Sequence, residues 1–472
     1  MGIDLRLDNP ADDERKPVLV LLGAHRWKRD EVVALATASG FRPMLLVHET
    51  ENVPESLLAD VGPYWVLRRS LLEAKSAPEV ADEITQRCGR QWYVIGLDDY
   101  VCEFAAELSQ HSAAPTMKAT AATCVLRKHQ LRRLWNSLAE KDGRLFAVPY
   151  TLRSYRDLAD HLAYVSEGDL VLSSGESYIV KPDALDASIG VHSVGPDGDI
   201  DDAISAVLRV LADLSPAVVS LGIGVAPAVL IERRIPRSEA LHGGAEYSAE
   251  FLSVKVGGET QHLLLGVTEK YTAGSFIEFA HCFASSSFPE TLRESLANAI
   301  RSLLDHLGVE QCISHWEFIV TPDARLALVE AQLRPAGDRI MTLIQRSTGL
   351  SPYRALFANL LGEEIGQTQF RPKRCAAVFF PQPHRKVSGK LSICVDQNDS
   401  IVGDCIVIDH VGIGEIDSWG GGIEWDGKYL AVLTEGMNLD EARKRCENVL
   451  HNVRLCGELS GSRSESSFRL PV

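Results

Sequence analysis

Two apolar runs, residues 313–320 and 326–334, carry polar side chains at every second position: His315 and Glu317 on the first, then Glu330, Gln332 and Arg334 on the second. Between them Thr321-Pro-Asp-Ala-Arg325 has turn chemistry, so the pair is expected to fold as an antiparallel hairpin. With a four-residue loop at Pro322 to Arg325, Glu317 lies opposite Glu330, His315 opposite Gln332 and Ile313 opposite Arg334. The other face, with Trp316, Phe318, Val329, Ala331 and Leu333, is ordinary core. Two carboxylates directly opposite each other repel unless a cation lies between them, and a hard divalent ion such as Mg2+ suits two oxygen donors. A solvated hairpin face that merely carries Glu is the alternative.

The elements upstream supply charge of the other sign. Residues 126–138 place Leu131, Leu134, Trp135 and Leu138 at helical spacing. Lys128 falls in the first turn, where a cation gains nothing from the helix dipole, so it answers either a ligand anion or simply water. Ser177 to Pro182 reads as a short strand with Lys181 near its end, and the loop through Ala187, Ser188 and Gly190 is small enough to fold its backbone over a phosphate. Residues 228–235 form a strand that turns charged at Glu232 and Arg233 and ends at Ile235, and residues 244–251 open another with Glu246. An extended connector offers an adenine backbone donors and acceptors, and a carboxylate suits a ribose; Glu232 and Glu246 fit these roles, and both also fit as strand-edge charges.

Composition frames these pieces. A chain of 472 residues, 45% hydrophobic and 24% charged, has the balance of a globular enzyme and should divide into roughly three or four units. Its formal net charge of −16 argues against a nucleic-acid surface. Ten scattered cysteines without a C-x-x-C pair suggest reduced thiols and a cytoplasmic setting. The first residues lack the apolar stretch of a signal peptide, and no run approaches the ~20 apolar residues of a membrane span. Pro17-Val-Leu-Val-Leu-Leu-Gly23, Pro43 to Val47 and Trp92 to Gly96 read as buried parallel strands, with a helix over residues 30–39. No G-x-G-x-x-G follows Gly23, which weakens a plain dinucleotide-binding reading. Strands over 375–380, 403–408 and 429–433 and a helix over 439–453, capped by Asn438, make a further unit. The expected divisions are 17–118, 119–230, 231–366 and 367–457, with residues 458–472 as a frayed tail.

In chain order these pieces resemble the ATP-grasp superfamily of carboxylate–amine ligases, over about residues 119–349. The matching residues are Lys128; Lys181 before the Ser188 and Gly190 loop; the hinge Glu232-Arg233-Arg234-Ile235; Gly244-Ala-Glu246-Tyr-Ser; Glu317; and Glu330-x-Gln332-x-Arg334. Within it the chain is similar to the bacterial L-amino-acid ligases that form dipeptides, through Phe276-Ile-Glu278-Phe-Ala-His281, Ile313 to Glu317, and Glu330 to Gly337. It departs at Gln332, where many ATP-grasp enzymes have a metal-binding Asn, and at Asp338, where a member of that branch has a bulky Trp beside its substrate pocket.

The resemblance implies an α/β chain with α+β elements: an N-terminal parallel α/β domain, a mobile lid, a large antiparallel-sheet subdomain carrying the hairpin, and a small C-terminal α+β domain like that of biotin carboxylases. It implies ATP and Mg2+, or Mn2+ in its place, with amino acids as partners, no nucleic acid or membrane, and room for a homodimer. Lys128 and Lys181 would meet nucleotide phosphates, with Ser188, Gly190, Glu232, Arg233, Ile235 and Glu246 completing that site. Glu317 and Glu330 would hold the metal, and Arg334 would stabilise an acylphosphate. Glu278 would take an amino group, His281 would orient substrate or serve as a satisfied core histidine, and Gly337 and Asp338 would border the pocket. Asp338 is alternatively a cap for a helix near Ile340 or a partner of Arg339. The chemistry is coherent, since amide formation from a free carboxylate needs activation and phosphoryl transfer is chiefly alignment and charge neutralisation. Two rivals share the fold: a biotin-carboxylase-type enzyme, whose Q-V-E-H is here replaced by Pro335-Ala-Gly-Asp-Arg-Ile340, and a non-catalytic nucleotide-binding protein, a class that typically loses its metal carboxylates.

Overall fold

The computed structural model describes residues 16–23, 26–48, 61, 66–69, 76–156, 164–185, 188–220, 228–238, 246–273, 277–284, 288–365, 370–383, 390–395, 406–409, 430–451, 453–459 and 462–470. At the N-terminus, β1 (Val18–Leu22), β2 (Arg42–His48), β3 (Val66–Arg69) and β4 (Trp92–Gly96) form a parallel sheet in the order β3-β2-β1-β4. Helices α1 (Arg26–Ala38), α2 (Ala77–Cys88) and α3 (Asp99–Ser109) accompany it, and every residue of β1 is buried, as its unbroken apolar run requires. Gly23 follows β1 at φ +73, where a Cβ would stand 2.8 Å from the Cβ of Asp98, so the position tolerates no side chain.

Two short helices, α4 (Ala119–Leu126) and α5 (Lys128–Ala139), are separated by the extended residue Arg127. That break makes Lys128 the first residue of α5, as the spacing of Leu131 and Trp135 suggested. The next unit is a sheet of its own: β5 (Tyr150–Tyr155), β6 (Tyr164–Gly168), β7 (Tyr178–Pro182), β8 (His192–Val194) and β9 (Ala228–Arg233), in the order β6-β5-β9-β7-β8 and backed by α6 (Ile200–Ser220). Tyr178, Val180, Val229 and Ile231 pack with Ile204, Val207 and Leu208 of α6 into a separate core.

The large sheet contains β10 (Glu246–Val256), β11 (Glu259–Ala273), β12 (Ile277–Phe283), β13 (Cys312–Val320) and β14 (Leu326–Gln332), all antiparallel. One face packs Tyr247, Ala249, Phe251, Trp316, Phe318, Ala331 and Leu333 against Leu296, Ile300 and Leu303 of α7 (Glu290–Leu307). The alternate residues form the opposite, polar face. Helices α8 (Ile340–Thr348) and α9 (Pro352–Leu360) then lead to β15 (Cys375–Phe379), β16 (Gln382–Pro383), β17 (Lys390–Val395), β18 (Ile406–Asp409) and β19 (Leu430–Gly436).

Two expectations are corrected at the C-terminus. Strands β15, β19 and β18 do not begin a detached unit but extend the large sheet, giving the order β14-β13-β10-β11-β12-β15-β19-β18. The stretch expected to fray instead contributes to β20 (Val453–Leu459) and forms β21 (Ser462–Arg469), an antiparallel pair that joins β17 and β16. Its alternation of Arg463, Glu465 and Ser467 with small residues conceals a strand because few of its side chains are apolar. Helix α10 (Leu439–Leu450) is capped as expected, Asn438 accepting from the Glu441 amide at 3.0 Å. Of the strand expected over 403–408, residues 403–405 lie outside the described residues, as do Phe276, Gly244 and Ala187.

Candidate active site

The hairpin has the register that its alternation implies: Glu317 opposes Glu330 and His315 opposes Gln332. The loop is one residue longer than expected, since Val320 pairs with Leu326 and the Thr321 amide donates to the Arg325 carbonyl. A bulge restores the register, because Phe318 pairs with Leu328 and Val329 is the extra residue.

From that hairpin the polar face runs across the sheet by direct pairing. Glu317 lies beside Ser248, His315 beside Glu250, Glu246 beside Lys270, and Lys270 beside His281. The side chains connect in one hydrogen-bonded line. Ser248 donates to Glu250 at 2.8 Å, His315 Nδ1 meets Glu250 at 2.8 Å and its Nε2 meets Glu317 at 2.8 Å, and Lys270 Nζ reaches Glu317 at 2.5 Å and bonds Glu278. Burial alone would raise the Glu317 carboxyl, but the Lys270 ammonium and then His315 hold it well below the usual carboxylate range. His315, which burial would lower, is raised to about 9 by Glu250 and Glu317. Lys270 likewise stays protonated against burial because Glu278, Glu317 and Glu246 surround it. Glu246 also pairs with Arg237 at 2.7 Å, and burial pushes its carboxyl upward.

A second cluster joins the five-stranded β5–β9 sheet to the hairpin. Glu232 is buried between Arg132 of α5 and Lys181 of β7, each 2.6 Å away, and Arg132 donates onward to the Leu328 carbonyl. Burial opposes the Glu232 charge, yet Arg132 and Lys181 bring its carboxyl down to about 2. Lys181 moves the other way, lowered by burial, because one carboxylate serves two cations. Lys128 Nζ lies 3.3 Å from Glu330 and donates to the Leu185 carbonyl at 2.5 Å. Its amide donates to the Asp183 carbonyl, while His129 bonds the Asp183 carboxylate through both its amide and its ring. Ser188 and Gly190 both adopt left-handed backbone, at φ +58 and +70, and a Cβ on Gly190 would stand 3.0 Å from the Pro182 ring. Arg233 does not share the face of Glu232; strand alternation turns it toward Glu176, 3.6 Å away, at the surface of that sheet. Ile235 lies on the connector that leaves β9, next to Arg234, whose amide donates to the Ser177 carbonyl.

Beyond the hairpin, Arg334 is buried against Asp99 of α3 at 2.5 Å and donates to the Pro335 carbonyl. Lys28 of α1 donates to the Leu97 and Pro335 carbonyls at 2.9 and 2.8 Å, and burial beside Arg334 lowers it to about 7. The N-terminal domain therefore clamps the hairpin end. Next, Asp338 and Arg339 occupy left-handed backbone at φ 48 and 64, a strained pair for side-chain-bearing residues. Asp338 is not the cap of α8: Arg339 takes that position without a side-chain hydrogen bond, and the Asp338 carboxylate instead lies 3.4 Å from His281 Nε2. Glu278 lies 3.3 Å from the same nitrogen. The two carboxylates raise His281 despite complete burial. Gly337 accepts from the Ile340 amide in the turn between Arg334 and α8.

The structure thus gathers Glu317, Glu330, Lys128, Lys181 and Glu232 where the β5–β9 sheet meets the hairpin, Glu246 and Glu278 around Lys270, and His281 with Asp338 beyond it. Glu317 and Glu330 fit a hard divalent cation, being opposed oxygen donors whose charge is answered here by Lys270 and Lys128. Gln332 donates its amide to Glu330 at 3.2 Å, bracing a carboxylate. Arg132, Asp99, Glu250 and Lys270 escape motif reading. Lys270 had a faint signal, a lone lysine inside the long strand 259–273.

Comparison with known proteins bears on the fold. A family model described as an ATP-grasp domain matches residues 174–342. Among solved structures, the chain is similar to an L-amino acid ligase from Bacillus licheniformis, at 16% identity and a TM-score of 0.67 over 94% of this chain and 100% of that one. It is similar to N5-carboxyaminoimidazole ribonucleotide synthetase from Thermotoga maritima, at 12% identity and a TM-score of 0.61 over 94% and 100% of the two chains. It is also similar to a biotin carboxylase from Campylobacter jejuni, at 10% identity and a TM-score of 0.59 over 97% and 94%. A search of curated protein sequences finds no match. The fold is that of ATP-grasp proteins, a mixed α/β architecture. No helix among the described residues is long and apolar enough to cross a membrane.

Proposed function

We propose that the chain is an ATP-dependent carboxylate–amine ligase that joins an amino-acid carboxylate to the amine of a second L-amino acid, releasing ADP and phosphate. The observation that carries this reading is the Glu317 and Glu330 pair, opposed in register beside Lys128 on an ATP-grasp fold. Mg2+ held by Glu317 and Glu330 would neutralise charge on the nucleotide phosphates.

The protein's own groups account for the rest. Lys128 and Lys181 address the phosphates, and the left-handed backbone at Ser188 and Gly190 turns the lid loop toward them. Glu246 receives the ribose, and the connector at Ile235 offers backbone to the base. A substrate carboxylate oxygen attacks the terminal phosphorus, the bond to the bridging oxygen breaks, and ADP leaves. The amine then attacks the acyl carbon, the carbon–oxygen bond to phosphate breaks, and the proton lost from nitrogen leaves with the phosphate. Arg334, held rigid by Asp99, answers the negative charge that develops on the acyl oxygens. Glu278 and Asp338, partly exposed at one edge of the site, receive the amino group that attacks. Lys270 bonds both Glu278 and Glu317 and offsets their mutual repulsion across the sheet face.

The test is to incubate the protein with ATP, Mg2+ and pools of amino acids, following ADP, phosphate and peptide mass. Amino-acid-dependent ADP release with a new amide supports the reading. ATP turnover that requires bicarbonate and biotin instead, or nucleotide binding without turnover, overturns it.

A further inference from the structure

The face of β12 turned away from the pocket carries a pair of reactive groups that the ligase chemistry does not use. Strand alternation points Cys282 opposite to His281, into the core beneath α10, where it packs with Cys375, Ala377, Ala442 and Cys446. Cys282 Sγ and Cys375 Sγ stand 3.1 Å from each other, a hydrogen-bonded thiol pair drawn from positions 93 residues apart in the chain. Cys282 faces Ala377 across the ladder between β12 and β15, so Cys375 is its diagonal neighbour on the same face. Closing the pair to the ~2.05 Å of a disulfide needs the sulfurs to move by about 1 Å. Diagonal neighbours usually stand about 7–8 Å apart at Cα, just beyond what a disulfide spans without drawing the strands together. A bond formed here is therefore attainable but strained, and a strained disulfide is readily reduced again.

We infer that Cys282 and Cys375 are a modification site, a dithiol that a small hydroperoxide such as hydrogen peroxide oxidises to a reversible disulfide clasping β15 to β12. Cys375 reacts first. It opens β15 directly after Arg374, whose side chain is 52% exposed, which gives a small oxidant its approach, whereas Cys282 is fully buried. The hydrogen bond from Cys282 holds the Cys375 thiol below its ordinary value against burial, while the same bond and burial raise Cys282. Glu269, opposite Cys282 on β11, opposes ionisation of either sulfur, which favours neutral thiols as the resting form. The Cys375 sulfur attacks one peroxide oxygen, the oxygen–oxygen bond breaks, and the departing oxygen takes the thiol proton and leaves as water. The Cys282 sulfur then attacks the resulting sulfenic acid at sulfur, the sulfur–oxygen bond breaks, and a second water leaves with the Cys282 proton. Each sulfur loses one electron and the peroxide gains two. The product ties β15, where the C-terminal strands join the large sheet, to the strand that receives it. Because both sulfurs lie on the face of β12 opposite Glu278 and His281, the inference stands whether or not the chain is a ligase.

The test treats the full-length protein, reduced and then freed of reductant, with hydrogen peroxide, alkylates the remaining thiols, and maps the digest by mass spectrometry. The expected product is a peptide pair joined between Cys282 and Cys375, which dithiothreitol separates again without unfolding the protein. Hydrogen exchange of the β12 and β15 amides should slow by at least ~10-fold on oxidation, a conservative share of the restriction that closing so long a loop imposes. Cys375→Ala should lose both the linkage and the slowing, and Cys446→Ala, which removes the third cysteine of the cluster, should keep both. If a variant fails to fold, mapping and exchange on the wild-type protein decide alone. No linkage, a linkage to Cys446 in its place, or exchange unchanged by oxidation overturns the inference.

Discussion

Replacing Glu232 by Gln isolates the electrostatic hinge between lid and hairpin. The substitution preserves shape but removes the one anion shared by Arg132 and Lys181, both of them buried. A carboxyl brought from its ordinary 4.5 down to about 2 stores roughly 3 kcal/mol in the folded state, and uncovering two facing cations costs a similar amount. The sign follows from the depressed value. Because the folded pKa lies below the unfolded one, the contribution is complete above about pH 4.5 and drains away as pH falls toward 2. Hydrogen exchange of the β7 and β9 amides, combined with urea unfolding, reads it. The variant should open its lid sheet with roughly 3 kcal/mol less resistance at pH 7, and the gap from wild type should shrink by about 1 kcal/mol at pH 4. Equal protection at pH 7, or a gap that does not narrow with acid, would refute the claim that Glu232 is the ionised centre of the triad.

Other outcomes bear on the chemistry. Glu330→Gln should cut turnover by at least ~10²-fold while thermal unfolding stays close to wild type; unchanged turnover and Mg2+ dependence would make the hairpin a solvated face. Turnover should release ADP and phosphate, checked by chromatography of the nucleotides, with AMP as the stoichiometric product excluding an acylphosphate. The loop between Asp183 and Gly190 should be cut by protease without nucleotide and protected by a non-hydrolysable ATP analogue with Mg2+, because Lys181 and Glu330 must meet on one phosphate. Equal cleavage in both states would remove lid closure from the mechanism.

How far the sequence carried depends on range. The Glu317 and Glu330 pairing was legible because period-two alternation allows no other face, and it survived a misjudged loop because the bulge at Val329 absorbed the difference. Nothing about a valine announces a bulge. Helix α5 and its first-turn lysine were legible for the same local reason. The Asp99 to Arg334 contact spans 235 positions, and no pattern in either segment anticipates it. Lys270 was hidden differently: a buried, thrice-surrounded lysine looks in sequence like any surface charge. Strands β15 and β19 were visible as strands, but alternation does not say which sheet a strand will join, so the attachment of β15 beside β12, and of β19 beside β15, required the fold.

That attachment also orders events during synthesis. Strand β12, which carries Glu278 and His281, is flanked on one side by β11 and on the other by β15, where His281 pairs with Val378. Until β15 leaves the ribosome, that side of β12 is a bare edge whose amides and carbonyls would accept any passing strand. The interval is about a hundred residues of translation, on the order of 5–20 s. Late in that window a nascent chain already holds the hairpin strands but displays an open sheet margin beside its histidine, so a chaperone that shields edges has its clearest task there. A chain that stopped short of residue 375 would keep most of its motifs and still expose that margin permanently.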